Sequence, residues 1–483
     1  MLKRRISVFI MAVFLCSAMT ACTQEQSSSD SESKNEVSAS VKFSNNEIST
    51  EQEDKQSVAQ ESEKQNSEQS AAQDTEKQNS EQSAAQETEK QNSEQSAAQS
   101  AESAAEQNQT SYSADSDSSF GTKTTPDADG LDSDEIFTSR DLEQEPDLSS
   151  AKSITVSSND NITISEEGIY VISGTAENCT IRVEAGKDAK VQLVLDGVSI
   201  TNSSTPAIYV VSADKCFITS AGSNSLSVTG AFTSDGDTNT DAVIFSKDDI
   251  VLNGTGSLSV NSAQGNGISG KDDVKITGGI YTINSAKDSI EANDSIAVCG
   301  GSFTITSSKD AFHSENDDDN SLGWIYISGG TFDINAASDS IQATTLCRID
   351  GGDLTLRSSE GIEATYVQIN DGTVSITASD DGINASKKSS YSTPTVGING
   401  GSITIVMGQG DTDAIDTNGN IIVNGGTINI TAQVSSFDYD GTAQYNGGTI
   451  IINGSQVDSI PQSMMGGGMG GMGRMGGMRG QMF

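Results

Sequence analysis

Hydrophobic and polar residues alternate in short segments that recur along the second half of the chain. Each segment opens with Gly-Gly or Asp-Gly, continues with alternating polar and apolar residues, and ends in a polar corner. Alternation at every second residue, as in Val374 and Ile376, is the period of a β-strand and not of a helix. Five copies are "GGIYTINSAKDSI" from Gly278, "GGSFTITSSKDAF" from Gly300, "GGTFDINAASDSI" from Gly329, "GGDLTLRSSEGI" from Gly351 and "DGTVSITASDDGI" from Asp371.

The spacing of these copies predicts the architecture. They start 22, 29, 22 and 20 residues apart, which leaves room for two or three short strands with turns. Propeller blades of the WD type need about twice that length, and leucine-rich repeats need leucine spacings that are missing here. We therefore predict an all-β fold with a single parallel β-helix (solenoid) over residues 151–460, whose coils stack about 4.8 Å apart.

Stacking would bring equivalent residues of successive repeats together. An acidic residue would lie at the same corner of each coil, the apolar residue two positions later would point inward, and the next residue would face outward. The predicted corner residues are Asp288, Asp310, Asp339, Glu360, Asp381 and, after an insertion, Asp413; the inward residues are Ile290, Phe312, Ile341, Ile362, Ile383 and Ile415; the outward residues are Glu291, His313, Gln342, Glu363, Asn384 and Asp416.

The repeated acidic corner has two interpretations. Asp, Asn and Gly suit tight turns, so each Asp could simply form its own corner. Stacked carboxylates about 5 Å apart, however, repel each other by a few kcal/mol at an effective dielectric constant near 20. A column that also accepts Glu360 favours a cation held by carboxylate oxygens, and Ca²⁺ is the cation that prefers such ligands.

The N-terminal residues are typical of a bacterial lipoprotein signal. A basic cluster at 3–5 precedes an apolar run at 6–19 and small residues before Cys22. This pattern predicts a signal peptide over 1–21 and lipidation of Cys22. A plain cleaved signal and an uncleaved anchor are the alternatives. All three place the protein outside the cytoplasm, and lipidation places it on the cell surface at the extracellular face of the membrane.

Two further segments have compositions that do not predict a packed core. Residues 22–150 are rich in Ser, Gln and Glu and contain "EKQNSEQSAAQ" three times with a period of 13 residues. Such a segment buries too little apolar surface to offset its ordering entropy, so we predict a disordered tether. Residues 461–483 form a Gly/Met-rich tail, for which a flexible tail is predicted and metal or oxidant capture is the alternative.

The charge and cysteine content limits the possible partners. Residues 151–460 contain 38 Asp and Glu against 14 Lys and Arg, which speaks against nucleic acid because phosphate binding needs the opposite sign. This region has no CxxC motif, so a zinc ribbon is not expected. Its cysteines could be buried free thiols, or two of them could form a disulfide. These cysteines are Cys179, Cys216, Cys299 and Cys347.

Three phrases resemble a family of secreted clostridial carbohydrate-binding proteins: "SSEGIEATYVQINDGTVSITASDDGINAS", "DTDAIDTNGNIIVNGGTINI" and "GTGSLSVNSAQGNGISGKDDVKITGG". The resemblance implies a right-handed parallel β-helix related in fold to pectate lyases, which binds Ca²⁺ and acidic or crystalline plant polysaccharides. The calcium ligands that it implies are Glu360, Glu363, Asp380, Asp381, Asp411, Asp413 and Asp416. In "FDYDG", Asp438 and Asp440 align with Asp416 and Asn418, so the resemblance extends the oxygen ligands to these two residues. The upstream phrases "KDSI" and "KDAF" lack the glycine that the family phrase has after its acidic residue, and the resemblance implies no calcium ligand there.

The sequence leaves three classes of function to compare: a polysaccharide-binding protein, a polysaccharide lyase and a structural surface spacer. A polysaccharide lyase acting on polyuronates needs an Arg or Lys base near the sugar carbon that loses its proton. Lys287, Lys309, Lys387 and Lys388 lie near acidic corners, but we expect them to balance charge, and we expect His313 to face solvent. A structural surface spacer is the third class.

We expect a monomeric, non-catalytic, calcium-dependent binder of extracellular polysaccharide, which contacts the membrane only through its lipid anchor. No catalytic residue is assigned. Trp324 follows the insertion "ENDDDNSLG" and Tyr391 lies in the insertion "SKKSSYSTPTVG". These two aromatic residues, together with Lys387, are the predicted glycan contacts, because sugars often stack on exposed aromatic rings.

Overall fold

The computed structural model describes residues 136–390, 392–410 and 412–462. Cys22, the signal segment, most of the predicted tether and the Gly/Met-rich tail lie outside the described residues, as do Tyr391 and Asp411. The described residues contain no helix long and apolar enough to cross a membrane. A short 3₁₀ helix, Leu148–Ser150, precedes the strands and is capped by the Asp147 side chain.

The chain forms a parallel β-helix with three strands per coil, which confirms the predicted fold class. Each strand pairs in parallel with the equivalent strand of the next coil. Two long strands, Gly168–Glu177 and Lys190–Asn202, run through a corner and belong to both the first and the second sheet. A final antiparallel strand, Ser455–Val457, pairs with Thr449–Ile452 at the C-terminal end.

The other strands divide among the three sheets. The first sheet contains Lys152–Thr155, Lys215–Ser220, Asp249–Gly254, Asp273–Ile276, Ser295–Val298, Trp324–Ile327, Leu346–Ile349, Tyr366–Ile369, Thr395–Ile398, Asn420–Val423 and Ala443–Tyr445. The second contains Ser223–Val228, Ser257–Ser262, Ile280–Ser285, Ser302–Ser307, Thr331–Ala336, Asp353–Ser358, Thr373–Ala378, Ser402–Met407, Thr427–Thr431 and Thr449–Ile452. The third contains Ile162–Ile164, Ile181–Glu184, Ile208–Ser212, Ala242–Ser246, Asn266–Gly270, Ile290–Ala292, Phe312–Ser314, Asp339–Ala343, Glu360–Ala364, Asp381–Ala385, Asp413–Thr417 and Asp438–Tyr439.

The paired glycines form the corner between the first and second sheets. Gly301 and Gly330, each the second glycine of its pair, have φ values of 105° and 110°, a region that glycine enters without strain. A Cβ on Gly301 would also lie 3.3 Å from the backbone oxygen of Gly279 on the preceding coil. Both the backbone conformation and the close approach therefore explain why this pair recurs.

The core consists of apolar columns that run the length of the β-helix. The predicted inward column on the third sheet is confirmed, because its members pair in register and are fully buried. Tyr281, Phe303 and Phe332 form an aromatic stack in the core, with ring centroids 5.2 and 4.8 Å apart. Each coil thus buries its apolar side chains mainly against those of its neighbours. The inward column consists of Ile290, Phe312, Ile341, Ile362, Ile383 and Ile415.

An N-terminal segment packs on the outside of the first sheet. In this segment, residues 136–150, which we call the strap, Ile136 and Phe137 are buried against Trp324 and Tyr326. The folded part of the chain therefore begins earlier than the predicted boundary at residue 151. The prediction that the tether extends to residue 150 is wrong for the strap, because two of its apolar side chains, Ile136 and Phe137, are buried on this sheet.

The strap is also held by buried charges. Asp141 is fully buried, and its carboxylate lies 3.5 Å from Lys215 Nζ and 3.6 Å from Lys275 Nζ. Lys275 Nζ donates a hydrogen bond to the backbone oxygen of Ile136 at 2.7 Å. Gln144 adds hydrogen bonds to Thr277 and to the backbone of Gly254. The strap therefore contributes the counter-charge for two lysines of the first sheet.

The cysteines of the described residues are free thiols. Cys216 and Cys347 are fully buried, and burial raises the pKa of each thiol to about 12. They therefore act as small core residues, and the disulfide alternative does not apply to Cys179, Cys216, Cys299 and Cys347.

Candidate functional site

The outward face of the third sheet carries two columns of polar side chains. Equivalent residues of successive coils pair in register, so the predicted stacking of the acidic corners is confirmed. We call the two sets the corner column and the outer column, and together the acidic face. The corner column consists of Asp288, Asp310, Asp339, Glu360, Asp381 and Asp413; the outer column consists of Glu291, His313, Gln342, Glu363, Asn384, Asp416 and Asp438.

Aspartates of the corner column bind the backbone of the next coil. The backbone N–H of Asp310 donates to Asp288 Oδ1 at 3.1 Å, and that of Asp339 donates to Asp310 Oδ1 at 3.0 Å. The N–H of Asp413 donates to Asp381 Oδ1 at 3.3 Å. These bonds join successive coils and do not close the corner to which each Asp belongs. One carboxylate oxygen, Oδ1, therefore supports stacking, which leaves Oδ2 for other contacts.

Three carboxylates converge in the middle of the acidic face. Asp339, Glu360 and Glu363 each offer an oxygen, and these oxygens lie within 4.8 Å of one another. Lys388 lies beside them, with Nζ 2.7 Å from Glu363 Oε2. Ser386 Oγ donates to Glu363 Oε1 at 2.8 Å. This cluster is therefore partly neutralised by a side chain from the insertion that follows Asp381–Ala385.

The next coils continue the acidic face. Asn384 Nδ2 donates to Glu360 Oε2 at 3.1 Å, and Asn384 pairs in register with Glu363 on one side and Asp416 on the other. Within the described residues, Asn384 Oδ1 is buried and accepts no hydrogen bond. A buried acceptor without a donor is unfavourable unless an unseen donor or cation satisfies it.

The electrostatics of the acidic face disfavour charged carboxylates. Burial, and next the nearby carboxylate of Asp310, raises the pKa of Asp339 to about 8. Burial and Asp416 raise the pKa of Asp381 to about 7, and burial together with neighbouring aspartates raises that of Asp416 to about 6. These three carboxyl groups therefore keep their protons to a higher pH than a free aspartate does, and a nearby cation would favour their charged forms.

The donor set fits a hard cation. The carboxylates of Glu360, Glu363, Asp381 and Asp416 and the amide oxygen of Asn384 give an all-oxygen environment, which is the kind that Ca²⁺ takes. A cation would offset the mutual repulsion that raises the pKa values and would satisfy the buried amide oxygen. These residues, together with Asp339, whose carboxylate oxygen lies within 4.8 Å of those of Glu360 and Glu363, are therefore the ones that could hold calcium on this face.

The N-terminal part of the acidic face has different chemistry. His313 is only 6 % exposed, so the expectation that it faces solvent is wrong: neighbouring coils cover the ring on this sheet. Its Nδ1 lies 3.5 Å from Asp288 Oδ2. Lys309 Nζ lies 2.9 Å from the same oxygen, which confirms the expected role of Lys309 in charge balance.

Trp324 does not lie on an exposed surface. The side chain is 4 % exposed and packs under the strap against Ile136 and Phe137. The proposed sugar contact at Trp324 is therefore corrected: the ring anchors the strap and presents no face to a ligand. The sequence around the insertion "ENDDDNSLG" gave no sign of this, because the covering residues lie far away in the chain.

Other predicted site residues lie at the edges of the acidic face. Asp380 is exposed in the turn before Asp381–Ala385, and Lys387 is exposed after it. Asp438 continues the outer column opposite Asp416, whereas Asp440 is exposed in the following turn. The structure therefore brings Asp438 close to the column and leaves Asp380, Asp440 and Lys387 peripheral.

Sequence reasoning missed two participants. Asp339 belongs to the corner register, but the resemblance implies no ligand there, because its phrase "SDSI" lacks the glycine that follows Glu360 and Asp381. Lys388 was considered only for general charge balance, and its ion pair with Glu363 depends on how an insertion folds back. The register contained the signal for Asp339; no sequence signal identifies the pairing of Lys388.

Comparisons with known proteins place the chain in a family. A family model described as a carbohydrate-binding domain-containing protein matches residues 158–412 and 359–459. A carbohydrate-binding domain-containing protein from Acetivibrio thermocellus is 43% identical over 197 residues, which is 40% of this chain and 69% of that protein.

One similar solved structure is that of the polysaccharide lyase-like protein from C. thermocellum, as a gadolinium derivative. It has a TM-score of 0.42 and 32% identity, and the match covers 44% of this chain and 93% of that one. The family model itself spans well over half of the residues of this chain. The chain belongs to the family of carbohydrate-binding domain-containing proteins.

Proposed function

We propose that the acidic face binds Ca²⁺ and, through it, an acidic extracellular polysaccharide, without catalysing its cleavage. Membership of a carbohydrate-binding family supports a glycan ligand. The observation that carries the calcium part is the convergence of carboxylate oxygens from Asp339, Glu360 and Glu363 within 4.8 Å of one another. Asp381 and Asp416 continue the acidic face on the next coils, where the amide oxygen of Asn384 is unsatisfied.

The charge of the face supports an acidic glycan held through metal. Carboxylates about 5 Å apart repel each other by roughly 3 kcal/mol at an effective dielectric constant of 20. A uronate chain would meet the same repulsion from Asp381 and Asp416 unless a cation lay between. Calcium accepts six to eight oxygen ligands, so positions left by the protein can be filled by sugar carboxylate and hydroxyl oxygens.

The state of the basic residues favours binding over cleavage. A lyase base must be neutral and near the sugar carbon that loses its proton. Lys309 Nζ pairs with Asp288 at 2.9 Å; burial lowers the pKa of this lysine, but hydrogen bonding to Asp288 outweighs it and raises the pKa, which favours the charged ammonium. Lys388 Nζ is held 2.7 Å from Glu363. Unsaturated products that absorb ultraviolet light, formed from polygalacturonate, would instead establish the lyase alternative.

The cellular setting is a second part of the proposal. A lipidated Cys22 followed by a long polar segment would hold the β-helix at the cell surface with a wide reach. Cys22→Ala should move the protein from the membrane fraction to the medium. Retention of a fully processed Cys22→Ala chain on membranes would contradict lipidation at this residue.

The central experiment measures glycan binding and metal content together. The purified full chain should bind polygalacturonate on a glycan array in Ca²⁺ and lose that binding in EDTA. Asp381→Asn with Asp416→Asn should remove bound Ca²⁺ and uronate binding while the β-sheet circular dichroism stays unchanged. The matched control is Asp353→Asn with Asp371→Asn, which removes two exposed charges outside the acidic face.

Three other results of this experiment would each contradict one part of the proposal. Binding of polygalacturonate that survives EDTA would overturn the role of calcium. Binding to cellulose alone, with no uronate binding in either condition, would overturn the acidic ligand. Absence of any glycan binding by the intact protein would favour a structural spacer.

A further inference from the structure

A second cluster of charged side chains lies on the same sheet, on the two coils that precede the coil of Asp339. It consists of Asp288, Asp310 and His313, with Lys309 above them, and we call it the histidine cluster. All three ligand-type residues are buried. Unlike the all-oxygen region around Asp381, this cluster contains an imidazole nitrogen.

The three donor atoms are close to a metal-binding arrangement. His313 Nδ1 lies 3.5 Å from Asp288 Oδ2 and 3.7 Å from Asp310 Oδ2. Zinc ligands at about 2.0–2.1 Å in tetrahedral geometry lie roughly 3.4 Å apart. Both distances from the imidazole nitrogen are therefore within a few tenths of an ångström of the spacing that Zn²⁺ requires, and the ligand atoms of the three residues lie within 4.8 Å of one another.

The carboxylates are oriented by the backbone. Asp288 Oδ1 accepts the N–H of Asp310, and Asp310 Oδ1 accepts the N–H of Asp339, at 3.1 and 3.0 Å. Both Oδ2 atoms are thereby directed to the side where His313 lies. Ligands held by a second set of hydrogen bonds are typical of protein metal sites, because the bonds fix each ligand before the metal arrives.

The imidazole also has a group that can fix its tautomer. His313 Nε2 is buried and, within the described residues, makes no hydrogen bond; Glu315 Oε2 lies 3.4 Å from it. Metal on Nδ1 would leave the proton on Nε2, where a small rotation brings it to the Glu315 carboxylate. Metal-bound histidines usually donate their other N–H to such a partner.

The cluster already binds a cation. Lys309 Nζ lies 2.9 Å from Asp288 Oδ2, 3.4 Å from Asp310 Oδ2 and 3.4 Å from His313 Nδ1. Its side chain is 48% exposed, so the ammonium can move into solvent without disturbing the core. Burial opposes the charged carboxylate, but His313 and Lys309 outweigh it and lower the pKa of Asp288 to about 2.

We propose that Asp288, Asp310 and His313 form a binding site for Zn²⁺ or a similar first-row transition metal, and that the metal displaces the Lys309 ammonium from it. Imidazole with carboxylates suits Zn²⁺ better than Ca²⁺, which prefers oxygen ligands only. The acidic face would then carry two metal sites, one that prefers Ca²⁺ and one that prefers Zn²⁺. This inference does not depend on the proposed glycan binding.

His313 allows a site-specific test because it is the chain's single histidine. The full chain, purified without a histidine tag, is titrated with Zn²⁺ while the ¹⁵N signals of the imidazole are recorded by NMR. We expect the Nδ1 signal to shift on binding one equivalent. An imidazole spectrum unchanged at saturating Zn²⁺ would overturn the proposal.

Variants separate the metal site from an ordinary ion-pair network. His313→Gln should lower Zn²⁺ affinity in calorimetry by more than the roughly 10- to 100-fold that loss of an outer-shell partner costs, because a direct ligand is removed. The variant should fold because Gln342 occupies the same column one coil later. Lys309→Met should bind Zn²⁺ more tightly, since the competing ammonium is removed. Equal affinity of His313→Gln and the unmodified protein, or no gain in Lys309→Met, would contradict the site.

The control variant is Asp381→Asn with Asp416→Asn. It should keep the Zn²⁺ affinity and the imidazole shift even if it loses Ca²⁺. Failure of calcium binding therefore leaves this proposal standing, and failure of zinc binding leaves the proposed glycan function standing. Loss of the imidazole shift in this control would show that the zinc signal comes from the calcium region.

Discussion

The backbone N–H of Asp413 donates a hydrogen bond to Oδ1 of Asp381, its register partner on the preceding coil, at 3.3 Å. One carboxylate oxygen therefore supports the stacking of two coils. An asparagine can accept the same bond with its amide oxygen, but it carries no charge. Asp→Asn changes in this column thus separate the structural role of the carboxylate from any role in binding a cation.

Calcium should stabilise the folded protein. A ligand that binds only the folded state adds RT ln(1 + [L]/Kd), about 3 kcal/mol at 100 times Kd. We expect EDTA to lower the Tm of the full chain, and Asp381→Asn with Asp416→Asn to remove most of that sensitivity. Differential scanning calorimetry with Asp353→Asn as control checks this; an equal EDTA effect in all three proteins would refute it.

The metal-free protein should lose stability as the pH rises. The folded-state pKa values of Asp339, Asp381 and Asp416 are raised to about 8, 7 and 6 from the ordinary aspartate pKa of 3.8. The folded state therefore holds more protons than the unfolded state between about pH 4 and pH 8, so its free energy of unfolding falls across that window.

The measurement is urea denaturation in EDTA at intervals from pH 4.5 to 8.5. His313 acts in the same direction: although burial opposes it, hydrogen bonding to Asp288 raises its pKa, and this stabilisation is lost as the pH rises through the folded-state pKa. Asp381→Asn with Asp416→Asn should flatten the profile. A stability that increases with pH in EDTA would contradict these protonation states.

The inward column should be sensitive to cavities. Ile362 is fully buried between Ile341 and Ile383. Ile362→Ala should reduce the free energy of unfolding by about 2–5 kcal/mol, because the stacked coils cannot close the gap completely. Thr377→Ala, at an exposed position of the second sheet, is the control and should change stability by less than about 0.5 kcal/mol.

The glycine of the acidic corner should be required for close stacking. A Cβ on Gly361 would lie 2.3 Å from the backbone oxygen of Gly382 on the next coil. We expect Gly361→Ala to cost about 1–3 kcal/mol by overpacking. Gly186→Ala is the matched control, because among the described residues no atom beyond its chain neighbours lies within 4 Å of its added Cβ. Similar thermal shifts in the two variants would disprove the steric explanation.

The strap should contribute strongly through its buried aspartate. Asp141→Ala would leave Lys215 and Lys275 without the carboxylate between them, a change that costs about 3–5 kcal/mol for a buried pair. Denaturation in urea and cleavage near residue 136 by a protease should both report the loss. Glu143→Ala, exposed on the same segment, should leave both measurements unchanged.

The sequence was sufficient for the repeating part of the fold. Strand alternation, glycine pairs and a period near 22 residues together predicted the parallel β-helix, the inward column through Ile362 and the stacked acidic corners. This succeeded because a parallel β-helix makes each coil meet its neighbours at a fixed register. Sequence distance along the repeat therefore translates directly into position in space.

Only the tertiary structure decided the contacts that do not follow the repeat. The strap covers Trp324 from a segment almost 190 residues earlier in the chain, which changes an apparent sugar contact into an anchor. The insertion after Asp381–Ala385 brings Lys388 to Glu363, and stacked neighbours bury His313 beside Asp288. Each depends on where a non-repeating segment or a neighbouring side chain lies, and periodicity contains no information about either.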